Sequence, residues 1–441
     1  MGVTLKQHSL IAKARALAAA AFVMALALGV PQTRAQSEES ELPPAPGQFE
    51  AAVQPPPAEE FAVPEVPVSL LDSFRQREHG FTLKVGLVTL ADYTAFTQDA
   101  ASLAQVGKQE NQWDCRAARL MFRGTIGQDY KVGYLVAGEY KGFESDPETT
   151  WSMTDVALIF PLGGPATKLT MGKTKEAFAY EMVGDAANLP QPERVLSPFF
   201  VSRNIGVKLT QVIGADQRMT ATAGVFNDWM TTSGSFANSG TDFTARVTGL
   251  VWDQNDGKSF LHLGASVRYA GADNNTMRYK GRPASNVTDN YVDTGNLAGD
   301  HAWHTGLEAL WTEGPFSVLA EYNHATVNSP ASGNPNFSGY YVTASWVLTG
   351  ETRPYDRTVG FARRVMPASR WGAPELVARF SHVDLDDGVV QGGSFDQTYL
   401  GINWWATRRW KFGFGWGHTK LDRFNTTGVT DAYLSRLQWI Y

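Results

Sequence analysis

From Phe81 to the C-terminus, apolar and polar residues alternate with a period of two, as in strands whose consecutive side chains point to opposite faces. In 261–269 one face carries Leu261, Leu263, Ala265, Val267 and Tyr269 and the other His262, Gly264, Ser266 and Arg268. In 303–311, Trp303, Thr305, Leu307, Ala309 and Trp311 oppose His304, Gly306, Glu308 and Leu310, so two tryptophans bracket an apolar stripe. Trp410, Phe412, Phe414 and Trp416 form a further row, backed by Lys411, Gly413, Gly415 and Gly417. Eight residues at a rise of about 3.3 Å and a tilt of about 40° cover roughly 20 Å of bilayer normal, near the apolar band of a membrane barrel and its flanking aromatic girdles. The pattern predicts an all-β transmembrane antiparallel β-barrel, apolar outside and polar within. Its competitor is a soluble sandwich, in which a second sheet would cover the aromatic rows.

Turn chemistry sets the strand count. Tight turns are expected at Gly127-Gln128-Asp129, Gly163-Gly164-Pro165, Gly214-Ala215-Asp216, Asn255-Asp256-Gly257, Glu313-Gly314-Pro315 and Ala406-Thr407-Arg408-Arg409. Longer loops are expected near 95–112, 143–151, 174–203, 227–241, 271–302, 325–338, 385–396 and 419–431, which gives about sixteen strands. The connection 349–374 is long although it falls on the short-turn side. The last strand puts Tyr433, Leu437, Trp439 and Tyr441 on one face.

The N-terminal region lacks this alternation. A basic start (Lys6, Lys13, Arg15), the apolar stretch Ala16 to Val30 and the small-residue stop Thr33-Arg34-Ala35 predict a cleaved signal peptide over 1–35. Its apolar core is shorter than the roughly 20 residues of a spanning helix and runs into Pro31. Residues 36–79 read as an acidic, Pro-rich periplasmic segment, with Glu38, Glu39, Glu41, Glu50, Glu59, Glu60 and Glu65 and the run Pro55-Pro56-Pro57. The barrel is expected over 80–441. Cys115 is the single cysteine, so no intrachain disulfide forms.

Charge changes the picture only when it is divided by face. The whole chain is acidic, with 38 Lys and Arg against 44 Asp and Glu, which gives no reason to expect a nucleic-acid partner. The expected inward face holds Lys84, Arg119, Arg123, Lys131, Lys208, Arg246, Arg268, Arg379, Lys411 and Arg436, against Glu139, Asp155, Glu308, Glu321 and Glu375. That surplus would concentrate anions by a field effect. Alternatively, the same residues pair across strands and brace the wall. The loop 174–203 is a candidate constriction, although its charges sum to −1: Lys175, Arg194 and Arg203 against Glu176, Glu181, Asp185 and Glu193.

Several stretches resemble the phosphate-selective porin O and P family: 340–351 with Arg353-Pro354-Tyr355, 375–381, 384–388, Gly392-Gly393 and 401–404, and upstream 116–120, 172–178 and 203–207. The resemblance implies a sixteen-stranded Gram-negative outer-membrane porin, in contact with outer-membrane lipids, forming a homotrimer and passing small anionic solutes such as phosphate. It also implies anion contacts at Arg119, Arg123, Lys175 and Arg203; alternation adds Lys208 and Arg268 as pore-lining candidates. Thr170 and Asn204 depart from the pattern, standing where basic residues are expected, so the barrel carries over more firmly than phosphate specificity.

Two other functional classes fit parts of the pattern. A barrel enzyme of phospholipase type could draw on His262 or His304 beside serines of neighbouring strands, but no Gly-x-Ser-x-Gly motif accompanies them. A secreted carbohydrate-binding β protein could use the aromatic rows as sugar platforms. No cofactor or metal motif appears in its required context.

Overall fold

The computed structural model describes residues 80–143, 150–227, 241–272, 275–283 and 285–441. The expected signal peptide and the whole acidic segment 36–79 lie outside the described residues.

Among the described residues, sixteen antiparallel strands close into one barrel, each paired with its chain neighbours and the first with the last. They are β1 Phe81–Gln98, β2 Gln112–Ile126, β3 Val132–Tyr140, β4 Trp151–Pro161, β5 Thr167–Thr174, β6 Asn204–Ile213, β7 Met219–Asn227 and β8 Thr241–Gln254. There follow β9 Ser259–Gly271, β10 His301–Glu313, β11 Phe316–Asn328, β12 Asn336–Val347, β13 Ala373–Asp387, β14 Val390–Trp405, β15 Trp410–Arg423 and β16 Thr426–Ile440. Closure removes the edge strands that an open sheet would leave. Val88↔Ile440 to Gln98↔Thr430 is the closing register.

Side chains sort as the alternation predicts. On β10, Trp303, Leu307 and Trp311 point outward at 48, 57 and 40% exposure, while Ala302, His304, Leu310 and Thr312 are buried inside. Phe414 and Tyr433 are likewise exposed on the outer wall. No second sheet covers these rows among the described residues, which overturns the sandwich alternative. A charge in the middle of this wall meets hydrocarbon: Leu307→Arg should destabilise the barrel by on the order of 2–4 kcal/mol. Loss of the folded, fast-migrating band at a lower temperature on semi-native gels would register it.

The expected tight turns all join strands where anticipated. Three expected long loops are shorter. Residues 325–338 hold only a seven-residue connection, and 385–396 and 419–431 are mostly strand, turning at Gly388-Val389 and Phe424-Asn425. Phe424 and Asn425 both have positive φ, the geometry that lets a two-residue turn follow the strand twist. In these hairpins the inner face is apolar and buried, with Val383, Leu385, Val390, Phe395 and Leu421 in the core, while Asp384, Asp386, Lys420 and Asp422 stand on the outer face, so the apolar-out alternation reverses while the hydrogen-bond ladder continues.

Three connections fold inward. The inner loop 175–203 leaves β5 and returns to β6. From the loop side, described parts of 272–300 reach across the mouth: Ser285 Oγ lies 3.0 Å from Thr94 Oγ1 of β1, and Tyr291 Oη donates to Thr430 Oγ1 of β16 at 3.0 Å. From the turn side, the insert 348–372 enters the barrel. Apolar residues of all three, including Leu196, Phe199, Tyr279, Tyr291 and Phe361, share one core with the inner faces of β8 to β15.

Candidate pore constriction

The inner loop is held by charged wall residues that grip its backbone and its acids. Glu176 accepts from Arg268 Nε at 2.6 Å and from Asn204 Nδ2 at 2.8 Å. Ala179, at φ 62°, turns the chain so that the N–H groups of Tyr180 and Glu181 donate to Glu321 at 2.8 and 3.2 Å. Glu181 accepts from Arg379 at 2.6 Å, and Glu193 from Arg116 at 2.7 Å and Arg436 at 2.8 Å. Backbone carbonyls of 187–192 accept from Gln438, Arg353, Lys411, Asn403 and Arg436. A loop tied by this many charge-assisted bonds is a fixed partition across the lumen rather than a free flap.

This grip corrects one expectation. Arg268, expected to line the pore, is 0% exposed, paired with Glu176 and Asp242 beneath the inner loop, and cannot meet a solute. Arg246, Arg379, Lys411 and Arg436 also face inward yet are covered. The wall-bracing alternative therefore describes the β8 to β16 side.

The other candidates lie on or near the opposite wall. Arg119, half-buried, pairs with Glu139 across β2 and β3 at 2.7 Å. Arg203, at the end of the loop, pairs with Asp155 of β4 at 3.3 Å. Lys208 Nζ donates to the Lys175 carbonyl at 2.7 Å, and Lys175 Nζ to the Gly184 carbonyl at 2.6 Å and to Asp185 at 2.9 Å. Arg123 is exposed to the lumen and lies directly opposite Lys84, also exposed, in the β1–β2 register. Neither has a carboxylate partner among the described residues. Like charges in that position repel unless anions or water stand between them.

Lys175 and Glu193 are among the loop groups whose protonation is shifted. Burial pushes the Lys175 ammonium down to about 8, partly offset by Asp185, with Arg203 and Arg194 pushing the same way as burial. Burial would raise Glu193, but Arg116 and Arg436 hold it down at about 2, so it stays ionised. Because Lys175 is charged below about 8 and neutral above, anion preference should decline as pH rises from 7 to 9, and Lys175→Met should flatten that step. Reversal potentials recorded across this range read both effects.

Sequence reasoning missed Arg116 as a constriction residue because a β-bulge opposite Leu90 to Asp92 shifts the β2 register there, and a bulge leaves no mark on the alternation. It also missed the arginines of the turn-side insert, where alternation says nothing.

This fold resembles that of known porins. Porin O of Pseudomonas aeruginosa is 24% identical over 229 residues, 44% of this chain and 52% of that protein, so the chain spans about half the length of this relative. Among solved structures, the outer membrane channel DcaP of Acinetobacter baumannii superimposes with a TM-score of 0.54 at 12% identity, covering 82% of this chain and 98% of that one. An anion-selective porin from Comamonas acidovorans gives 0.51 at 12% identity, covering 82% of this chain and all of that one. These likenesses establish the fold of an outer-membrane barrel. The model of the phosphate-selective porin O and P family matches residues 88–441, and with the closed sixteen-stranded barrel this places the chain in that family, in the Gram-negative outer membrane.

Proposed function

We propose that the barrel is a passive, water-filled channel for small anionic solutes, phosphate among them, working as a homotrimer embedded in outer-membrane lipid. The observation that carries this is the exposed cation pair Lys84 and Arg123, continued along the same side of the lumen by Arg119 and Lys208. Low-dielectric walls focus such a field and raise the local anion concentration without a tight binding pocket. The Comamonas protein of like fold is an anion-selective porin, which supports the same sign here. In this reading 1–35 is removed on export and 36–79 is a periplasmic spacer; N-terminal sequencing of the membrane-extracted protein should begin at Gln36.

The enzyme reading loses its candidates. His262 lies between Tyr355 Oη at 2.6 Å and Glu308 at 2.8 Å, and His304 beside Tyr279 Oη at 3.0 Å, both fully buried. Neither has a serine hydroxyl as a hydrogen-bond partner among the described residues. The aromatic rows face outward at strand spacing around the wall, which favours lipid over sugar as their partner. Purified protein added to a planar bilayer should give stepwise conductance increments; a silent bilayer would end the channel reading. Cross-linking in detergent should yield a three-chain species.

A further inference from the structure

The inner loop and the turn-side insert enter from opposite ends and lock together. Tyr180 of the loop stacks on Phe361 of the insert, with ring centroids 4.6 Å apart, and its hydroxyl accepts the Ala362 N–H at 2.9 Å. A Cβ on Gly184 would sit 1.8 Å from the Phe361 ring, so the two backbones approach as closely as glycine permits. Arg353 of the insert donates to the Asn188 carbonyl at 2.9 Å, and Gly360 O accepts from Arg246 Nη2 at 2.7 Å, which fixes the insert to the wall.

This lock positions one cation that nothing else uses. The Arg364 N–H donates to Asn188 Oδ1 at 3.2 Å, and the Asn188 N–H closes the short turn onto the Asp185 carbonyl at 2.9 Å. Arg364 thus stands one turn from the place where Lys175 meets Asp185. Its neighbour Arg363 is taken up by Asp356 at 2.5 Å. The half-buried Arg364 guanidinium has no hydrogen-bond or ion-pair partner among the described residues. Burial, then the Arg363 charge, pushes its pKa down, with Asp185 partly opposing.

We propose that Arg364 is a specificity residue of the constriction, lent by the turn-side insert, whose planar guanidinium engages an oxyanion held on its other side by Lys175 and Arg203. The inference rests on the channel reading above and deepens it by naming a residue. A guanidinium offers two parallel N–H donors that fit an oxyanion and are wasted on a halide, whereas a lysine supplies the charge without the fork. Discrimination between phosphate and chloride then depends on segments from both ends of the barrel.

The test is inorganic phosphate block of chloride current through the full protein in planar bilayers, with wild type, Arg364→Lys, Arg364→Ala and Arg203→Gln compared. Arg364→Lys should keep the KCl reversal potential and raise the half-blocking phosphate concentration several-fold; Arg364→Ala should do the same to block and move the reversal potential towards zero. A purely structural arginine would change the melting of the folded barrel and leave the phosphate-to-chloride ratio alone. Wild-type block in both Arg364 variants, with block altered in Arg203→Gln, overturns the inference and leaves the channel standing. A wild-type protein that conducts no ions overturns both. Folded-band mobility on semi-native gels confirms that each variant is a barrel, and Arg364→Gln replaces Arg364→Ala if the latter fails to fold.

Discussion

Arg268→Met should destabilise the barrel by on the order of 3–5 kcal/mol, more than any single change among the lumen residues left exposed to water. The substitution leaves Glu176 and Asp242 without their shared counter-charge in a site from which water is excluded, and stranding a buried ion costs far more than the pair gains by existing. The damage has a direction. Glu176 is the second residue of the inner loop, so its release frees the loop at the β5 end while Glu321, Arg379 and Arg436 still hold the middle. Thermal melting in detergent should fall, and single-channel traces should become noisier with a larger mean conductance. Arg123→Met, on an exposed position with no acid partner among the described residues, should melt like the wild type.

The second large effect is electrostatic. Lys84→Glu with Arg123→Glu changes four unit charges on one exposed cross-strand pair near the turn-side mouth, where no carboxylate among the described residues pairs with either. Because both side chains are solvent-exposed, folding should be retained. The anion-to-cation permeability ratio should change by on the order of tenfold and cross over to cation preference at low salt, the shift shrinking as salt screens the lumen. Arg119→Gln should act more weakly, since it removes one charge and exposes the carboxylate of Glu139 that it had neutralised.

The barrel was legible because its physics is local. A strand between hydrocarbon and water must alternate, so Leu261 to Tyr269 and Trp303 to Trp311 declared their faces, and glycine-bearing turns such as Glu313-Gly314-Pro315 marked the short side. The sequence predicts longer loops at Gly388-Val389 and Phe424-Asn425 because the apolar face changes side there: Leu385, Phe395 and Leu421 pack inward with the folded-in loops while Asp384, Asp386 and Asp422 face out. In the lumen, alternation told which residues point inward and not which are covered. Lys84 and Arg268 occupy equivalent faces of their strands; one meets solvent and the other lies beneath the inner loop, a difference made by where 175–203 comes to rest. Arg116 was hidden by a bulge. Arg364 was hidden by an insert whose place depends on Phe361 finding Tyr180, a contact between residues far apart in the chain.

In the proposed channel, solvent passes along the β1 to β6 side of the lumen past more positive than negative charge. The zero-current potential of the purified protein in a planar bilayer, under a tenfold KCl gradient at low ionic strength, measures this directly. The sign of the potential should report chloride as the more permeant ion, and its size should fall as salt is raised. A potassium-selective sign would contradict it.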